Sequence, residues 1–323
     1  MKFHKELRVN KFDFQSSNFF LLFILYFDDI AKCVPQNFGS LGIKLFADDA
    51  KLYGADHNEL QRSLDNLVLW LDDRQLTLAQ SKCFYLPLSN PRTVVHSSPL
   101  LINNTPIKSK LYAQDLGIYI SQNLKWSHHV NFIVGKASIC SYQIIKCFKS
   151  RNIDILIRLF KTYVRPKLEF NPEVWSPHLK QDINRIESVQ RLFTRNAFKL
   201  CGISFISYTD RLQKLNLLTL ERRRLHRDLI LLYKIVYGLS DLKFSDYYIF
   251  VKTGYNLRRH SIQIRLKNPV KLKTLQYTNS FFVRVVRCWN VLTDDIVKSP
   301  CVKVFKSKLM TFTFPSTIPL STF

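Results

Sequence analysis

Adjacent aspartates occur four times, at 28-29, 48-49, 72-73 and 294-295. Two neighbouring carboxylates repel each other. A hard divalent cation relieves that repulsion by taking carboxylate oxygens, and it keeps coordination positions open for substrate phosphates. The frame around each pair decides which one has a use for such chemistry. Asp48-Asp49 lies within Ile43-Lys-Leu-Phe-Ala-Asp-Asp-Ala-Lys-Leu-Tyr-Gly54, two short β-type runs around a polar pair, which predicts a hairpin with both carboxylates at its tip. Successive strand side chains point to opposite faces, so one aspartate, Asp48 the favoured one, is expected to hold the metal while Asp49 supports it. The other three pairs fall at expected helix ends or solvated turns. Asp28-Asp29, for instance, closes the apolar run Phe19 to Phe27.

Other chemistries find little footing. His128 and His129 are adjacent, and on a helix adjacent side chains diverge by about 100 degrees, so a polar turn or helix start is expected there rather than a metal site. The seven cysteines form no C-x-x-C pair, which argues against a disulfide scaffold and a zinc knuckle. Cys140 and Cys147, seven apart, are expected to be small buried apolar residues.

The elements that must position Asp48-Asp49 follow from periodicity. After the hairpin, Asp56 with Glu59 three residues on forms a helix start, and Leu60, Leu64, Leu67 and Leu71 recur as one apolar stripe facing a sheet. Leu76 to Leu88 and Lys110 to Ile120 are expected strands, separated by a Pro/Asn/Ser-rich loop from Pro87 to Pro106. From Asn131 the pattern becomes helical, with helices expected over 131–149, 153–164, 181–200 and 221–238. In the last of these Leu225, Leu229, Leu232 and Val236 form the buried stripe, and Arg222, Arg223, Arg224 and Arg227 crowd the first turns. Cations there oppose the helix dipole at some tenths of a kcal/mol each, up to about 1. A bound polyanion offsets that, and so does plain solvation. Phe281, Val285, Trp289 and Leu292 make a further stripe, whose helical spacing is that of a core helix and alone accounts for the aromatics without base stacking.

Length and charge set the class. The chain has 323 residues, 46% of them hydrophobic, enough for a packed core and incompatible with wholesale disorder. Lys+Arg minus Asp+Glu runs 6−6, 8−6, 20−8 and 14−4 over residues 1–50, 51–130, 131–240 and 241–323, giving 0+2+12+10 = +24. Nearly all the excess lies beyond residue 130. Polyanions are the natural partners of such a chain, because cations that neutralise phosphates release condensed counterions; a solvated cationic surface is the alternative. The run Phe19 to Phe27 is nine residues long against the roughly 20 a spanning helix needs, so no membrane association and an intracellular location, nuclear or cytoplasmic, are expected.

The motifs carry a family resemblance. Phe46-Ala47-Asp48-Asp49, followed by Lys51-Leu52-Tyr53, resembles the catalytic box of reverse transcriptases from non-LTR (LINE-type) retrotransposons. The likeness continues in order: Leu76-Thr77-Leu78, Lys82-Cys83, Asp115-Leu116-Gly117, Leu124-Lys125-Trp126 with His128-His129, Tyr163 to Glu169, Val174-Trp175-Ser176-Pro177, Val189-Gln190-Arg191 and Phe305-Lys306. Such a series over roughly residues 20–310 is far more specific than a four-letter box. The resemblance implies RNA-directed DNA polymerase chemistry with two Mg2+ ions, Asp48 and Asp49 at the metals and Lys82 as the substrate-binding lysine near the incoming dNTP. The hairpin at Asp115-Leu116-Gly117 would support the primer. The implied partners are an RNA template and a DNA primer or another nucleic acid, with no small-molecule cofactor apart from dNTP.

The family's fingers, first metal-binding aspartate and nucleotide-pocket loop should precede the Phe20 to Ile30 segment, yet nineteen residues stand there, with Ser16-Ser17-Asn18-Phe19 where the loop's glycines belong. Asp13 is a weak stand-in for the first aspartate, since the 34 residues between it and Asp48 cannot hold both the loop and the missing helices. The expected architecture is α+β: 1–19 an unrelated or disordered segment, 20–125 a partial reverse-transcriptase palm, 126–240 a helical thumb-like region and 241–323 a basic C-terminal region. Two functions remain in view, a polymerase fragment inactive alone, or a non-catalytic nucleic-acid-binding remnant acting through the basic helical half with Arg222, Arg223, Arg224 and Arg227. A product without a maintained role is the third possibility.

Overall fold

A computed structural model describes residues 2–6, 25–33, 41–47, 49–88, 99–251, 260–270, 274–315 and 318, with the backbone alone for 2–6, 28 and 33. The chain is α+β and divides into two compact units, Met1–Lys125 and Trp126–Phe323.

In the first unit, β1 (Lys2–Glu6), β2 (Gly42–Phe46), β3 (Asp49–Tyr53), β4 (Phe84–Leu86) and β5 (Lys108–Ser109) form one sheet in the order β2-β3-β1-β4-β5. The β2–β3 hairpin pairs Phe46 with Asp49 and Gly42 with Tyr53. Ala47 adopts a left-handed φ of 48°, the backbone sign that a tight hairpin turn demands. Part of the segment read as unrelated therefore differs from expectation: Lys2–Glu6 is an inner strand, antiparallel to both β3 and β4. Asp13, Asp48 and the Ser16–Phe19 stretch lie outside the described residues.

Asp56 caps α1 (His57–Asp73) by accepting the Glu59 N–H at 2.8 Å. The leucine stripe 60, 64, 67 and 71 is buried against Ala50 and Leu52 of β3, with Phe27, Ile30, Tyr85, Leu100 and Ile102 completing the core. Each such side chain contributes about 1.5–3 kcal/mol when fully buried. The expected strand 76–88 shrinks to β4, because Gln80–Lys82 is a 3-10 turn held by the Gln80 amide donating to the Ile102 carbonyl at 2.9 Å. The expected strand 110–120 is a hairpin, β6 (Tyr112–Asp115) and β7 (Ile118–Ser121), turning on Leu116 and Gly117, both at positive φ.

The second unit is mostly helical. α2 (Ser127–Cys147) packs on α4 (Lys180–Leu200). α3 (Ile153–Leu159) continues through a π-turn, Phe160–Val164, into Arg165–Leu168, so helix persists beyond the expected end. The π-turn puts the Arg165 N–H on the Phe160 carbonyl and shifts the ladder just where Pro166 has no N–H to give. α5 (Leu220–Val236), β8 (Tyr248–Phe250), β9 (Ile264–Leu266), α6 (Phe281–Asn290) and α7 (Val302–Thr311) enclose a second core. Phe281, Val285, Trp289 and Leu292 are all buried in it, as their helical spacing requires. On α5, Leu229 and Leu232 are core, whereas Leu225 and Val236 are half-buried. Cys140 is half-buried and Cys147 exposed, against the expectation of burial, since α2 turns the 147 face outward at its last residue.

Candidate active-site remnant and nucleic-acid interface

Asp49 opens β3 and is half-buried. Its backbone partners are Phe46 across the hairpin and Glu6 on β1. The β1–β4 register pairs Lys2 with Leu86 and His4 with Phe84, and Lys82 ends the 3-10 turn that leads into β4 at the sheet end where β1 finishes and β3 begins. Asp49, Glu6 and the half-buried Lys82 are thus brought to one end of the sheet. Among the described residues no group of three or more His, Cys, Asp or Glu side chains could hold a metal ion. Asp49 is the described carboxylate of the pair.

The remaining aspartate pairs do what their positions suggested. Asp29 belongs to the 3-10 helix Asp28–Cys33 and pairs with Lys32 and Arg74; Lys32, foremost by its hydrogen bond, holds the Asp29 carboxyl below its ordinary value. Asp72 and Asp73 end α1, and Asp294 and Asp295 open the turn Asp294–Val297.

Lys51 was not expected in this role. It follows the aspartate box on β3, on the face opposite Ala50 and Leu52, yet it is buried, with its ammonium donating to Asp115 Oδ1. Both side chains are largely shielded, at 10% and 14% exposure. A lysine amid apolar strand residues, together with the aspartate at the Asp115-Leu116-Gly117 turn, was the available signal. The pair ties the central sheet to the β6–β7 hairpin.

In the second unit the four arginines expected at nucleic acid differ among themselves: Arg224 is buried, whereas Arg222, Arg223 and Arg227 are half-buried and hydrogen-bonded within the protein. Arg223 Nε and Nη2 clasp both oxygens of Glu169, the latter at 2.8 Å. Arg227 donates to Glu173 at 2.9 Å and to the Glu169 carbonyl at 2.8 Å. Arg222 donates to the Phe312 carbonyl at 2.7 Å. Arg224 is 2% exposed, and burial pushes its pKa down against the pull of nearby Glu187 and Glu221. The charge crowding at the start of α5 is met by the protein's own carboxylates. Glu187 Oε2 accepts the Leu220 N–H at 2.8 Å, placing a carboxylate on the positive end of α5, where a polyanion was envisaged.

Glu187 belongs to a buried polar knot. Tyr208 donates to its Oε1, and Gln190 Nε2 donates to the Tyr208 oxygen at 3.0 Å and the Leu218 carbonyl at 3.1 Å. Burial pushes the Glu187 carboxyl up, opposed by those hydrogen bonds. Asp228, 3% exposed, receives Arg284 Nε and Nη2, both at 2.8 Å; burial drives its carboxyl up to about 6 while Arg284 pulls it down. His128 and His129 stand at the start of α2, the helix start expected of them, and His129 is buried there, edge-on to Trp175 at 4.8 Å. Burial lowers it to about 4, and it lowers His226 to about 4 likewise.

No known family's sequence profile matches the chain, and no solved structure matches it. An uncharacterized protein of Caenorhabditis elegans is 27% identical over 124 residues, 38% of this chain and 63% of that protein. The chain thus aligns with less than two-thirds of the relative's length, and the likeness assigns neither family nor activity. Among the described residues no helix is long and apolar enough to cross a membrane.

Proposed function

We propose that the chain is a non-catalytic nucleic-acid-binding remnant of a reverse-transcriptase-like polymerase, acting through its basic helical unit. The observation that carries this is charge that internal pairing cannot remove. Residues 131–323 hold 34 Lys+Arg and 12 Asp+Glu, 34 − 12 = +22. Each ion pair consumes one of each sign, so even complete pairing, of the kind seen at Arg223, Arg227 and Arg284, leaves a net 22 positive charges with no carboxylate in this stretch to cancel them. Phosphate backbones are the abundant polyanion that such a surface fits.

The full chain, titrated against labelled duplex DNA and RNA–DNA hybrid, is expected to bind with log K falling steeply with log salt, by about 0.9 per phosphate neutralised on duplex DNA. Absence of binding at low salt, or binding indifferent to salt, refutes the proposal. The polymerase reading is supported by two observations at one sheet end, the pairing of Asp49 with Glu6 and Lys82 in the turn that leads into β4. Primer extension with Mg2+ and dNTPs separates the two: template-directed incorporation that Asp48→Asn abolishes would establish catalysis.

A further inference from the structure

We infer that the groove between α5 and α7 is a seat for an unpaired nucleotide of a single strand, its base on the groove floor and its phosphates on Lys234 and Lys306. This rests on the nucleic-acid reading above and assigns it a location. The groove encloses about 480 Å³. Its floor is Ile230 and Leu231 of α5 with Leu309 and Met310 of α7, and Met310 is 48% exposed. Arg223, Arg227, Lys234 and Lys306 line it, with Glu173 the acidic member.

Charge accounting singles out the lysines. Arg223 is committed to Glu169 and Arg227 to Glu173, so those charges cancel in place. Lys234 and Lys306 remain, two cations on the rim of an apolar concavity. A duplex presents only its backbone outward and has no use for the apolar floor; an unstacked base has, because its π-face is apolar while its edge is polar. His226 also lines the groove, at 6% exposure. Burial, with the neighbouring Arg222 and Arg223, keeps that imidazole neutral, so the ring adds a flat face to the wall and no third cation.

The test uses the full chain with a labelled oligothymidine and a duplex of equal length. Lys234→Ala/Lys306→Ala is expected to weaken single-strand binding at least tenfold and to make the log K against log salt slope shallower by about 1.4, two contacts at about 0.7 each. The same net charge change in Lys199→Ala/Lys303→Ala, both exposed residues, is expected to leave single-strand binding within about threefold of wild type. Photocrosslinking of an iodouracil-bearing strand is expected at Met310. If wild type binds but the groove variant keeps its affinity and slope, or the crosslink maps elsewhere, the groove assignment falls while the nucleic-acid reading stands. If wild type binds no nucleic acid at all, both fall. Equal urea midpoints for all variants exclude misfolding as the cause of any loss.

Discussion

Replacing Arg284 by Met should be among the costliest single changes in the second unit. Arg284 sends two N–H groups to Asp228 and two more to the Asn279 and Glu173 carbonyls at 2.9 and 2.8 Å. With Asp228 only 3% exposed, removing the guanidinium strands a buried carboxylate, at about 3–5 kcal/mol. The two orphaned carbonyls push the total toward the upper end. Asp228→Leu alone strands the cation instead and should cost about 3 kcal/mol, since Arg284 keeps its carbonyl partners. Making both changes removes the two charges together, so the double variant should fall short of the sum of the singles by about 2–3 kcal/mol. The loss should also depend on pH. Burial already raises the Asp228 carboxyl to about 6 against the pull of Arg284. Without that pull it takes a proton more readily, and a carboxyl raised in the folded state adds stability that is present below its unfolded value and lost as pH rises through the folded one. Arg284→Met is therefore expected to be less destabilised at pH 5 than at pH 8. Urea unfolding followed by tryptophan fluorescence reads this directly, because Trp289 lies on the same helix. Additivity of the two single changes within about 0.5 kcal/mol, or a cost below about 1 kcal/mol for Arg284→Met, would show that the pair is not the electrostatic unit described.

Acid should destabilise the chain through two neutral histidines. His129 and His226 are held at about 4 against an ordinary 6.5, so their stabilisation is complete above 6.5 and is lost as pH falls toward 4; between pH 7.5 and 5 each should lose about 2 kcal/mol. His129→Gln/His226→Gln should flatten the curve of unfolding free energy against pH, and an unchanged slope would contradict the assignment. In the first unit, Lys51→Met leaves Asp115 without its ammonium and should cost about 3 kcal/mol, with amide exchange accelerating in β6 and β7; protection equal to wild type there would mean that the ion pair does not hold the hairpin.

Local periodicity made much of the fold legible. The Asp56 cap, the leucine stripe of α1, the β2–β3 hairpin and the helices of the second unit follow from patterns of four to twenty residues, and the structure places them within a few residues of expectation. What escaped was non-local. Nothing within Lys2–Glu6 announces an inner strand, because its β3 partners are 43 or more residues away by register, Lys2 with Tyr53 at one end and Glu6 with Asp49 at the other. Arg223 and Arg227 read as free cations in the sequence because their partners, Glu169 and Glu173, lie 54 positions upstream. Helical spacing identifies which residues share a face; it carries no information about which distant carboxylate occupies the space opposite.

The two units also use the resembling motifs differently. In the second unit, Glu169 clasps Arg223, Trp175 is buried with its indole N–H on the Phe170 carbonyl at 2.8 Å, and Gln190 is buried in the Glu187 knot. Each has a folding reason to be where it is, so the likeness there reports how a helical unit is pinned together and says little about chemistry. Asp49 is a different case. It opens β3 half-buried, opposite Glu6 of β1 in the ladder, and like charges directly opposite each other on adjacent strands are unfavourable; the left-handed Ala47 earlier in the turn adds backbone cost. The hairpin is therefore where the proposed polymerase ancestry meets its most direct test. Asp49→Asn, which keeps the side chain's shape and removes one of the two like charges, should change the unfolding free energy by no more than about 1 kcal/mol, whereas a marked loss of stability would reveal a structural duty for Asp49 and remove the strongest reason for reading it as a metal ligand.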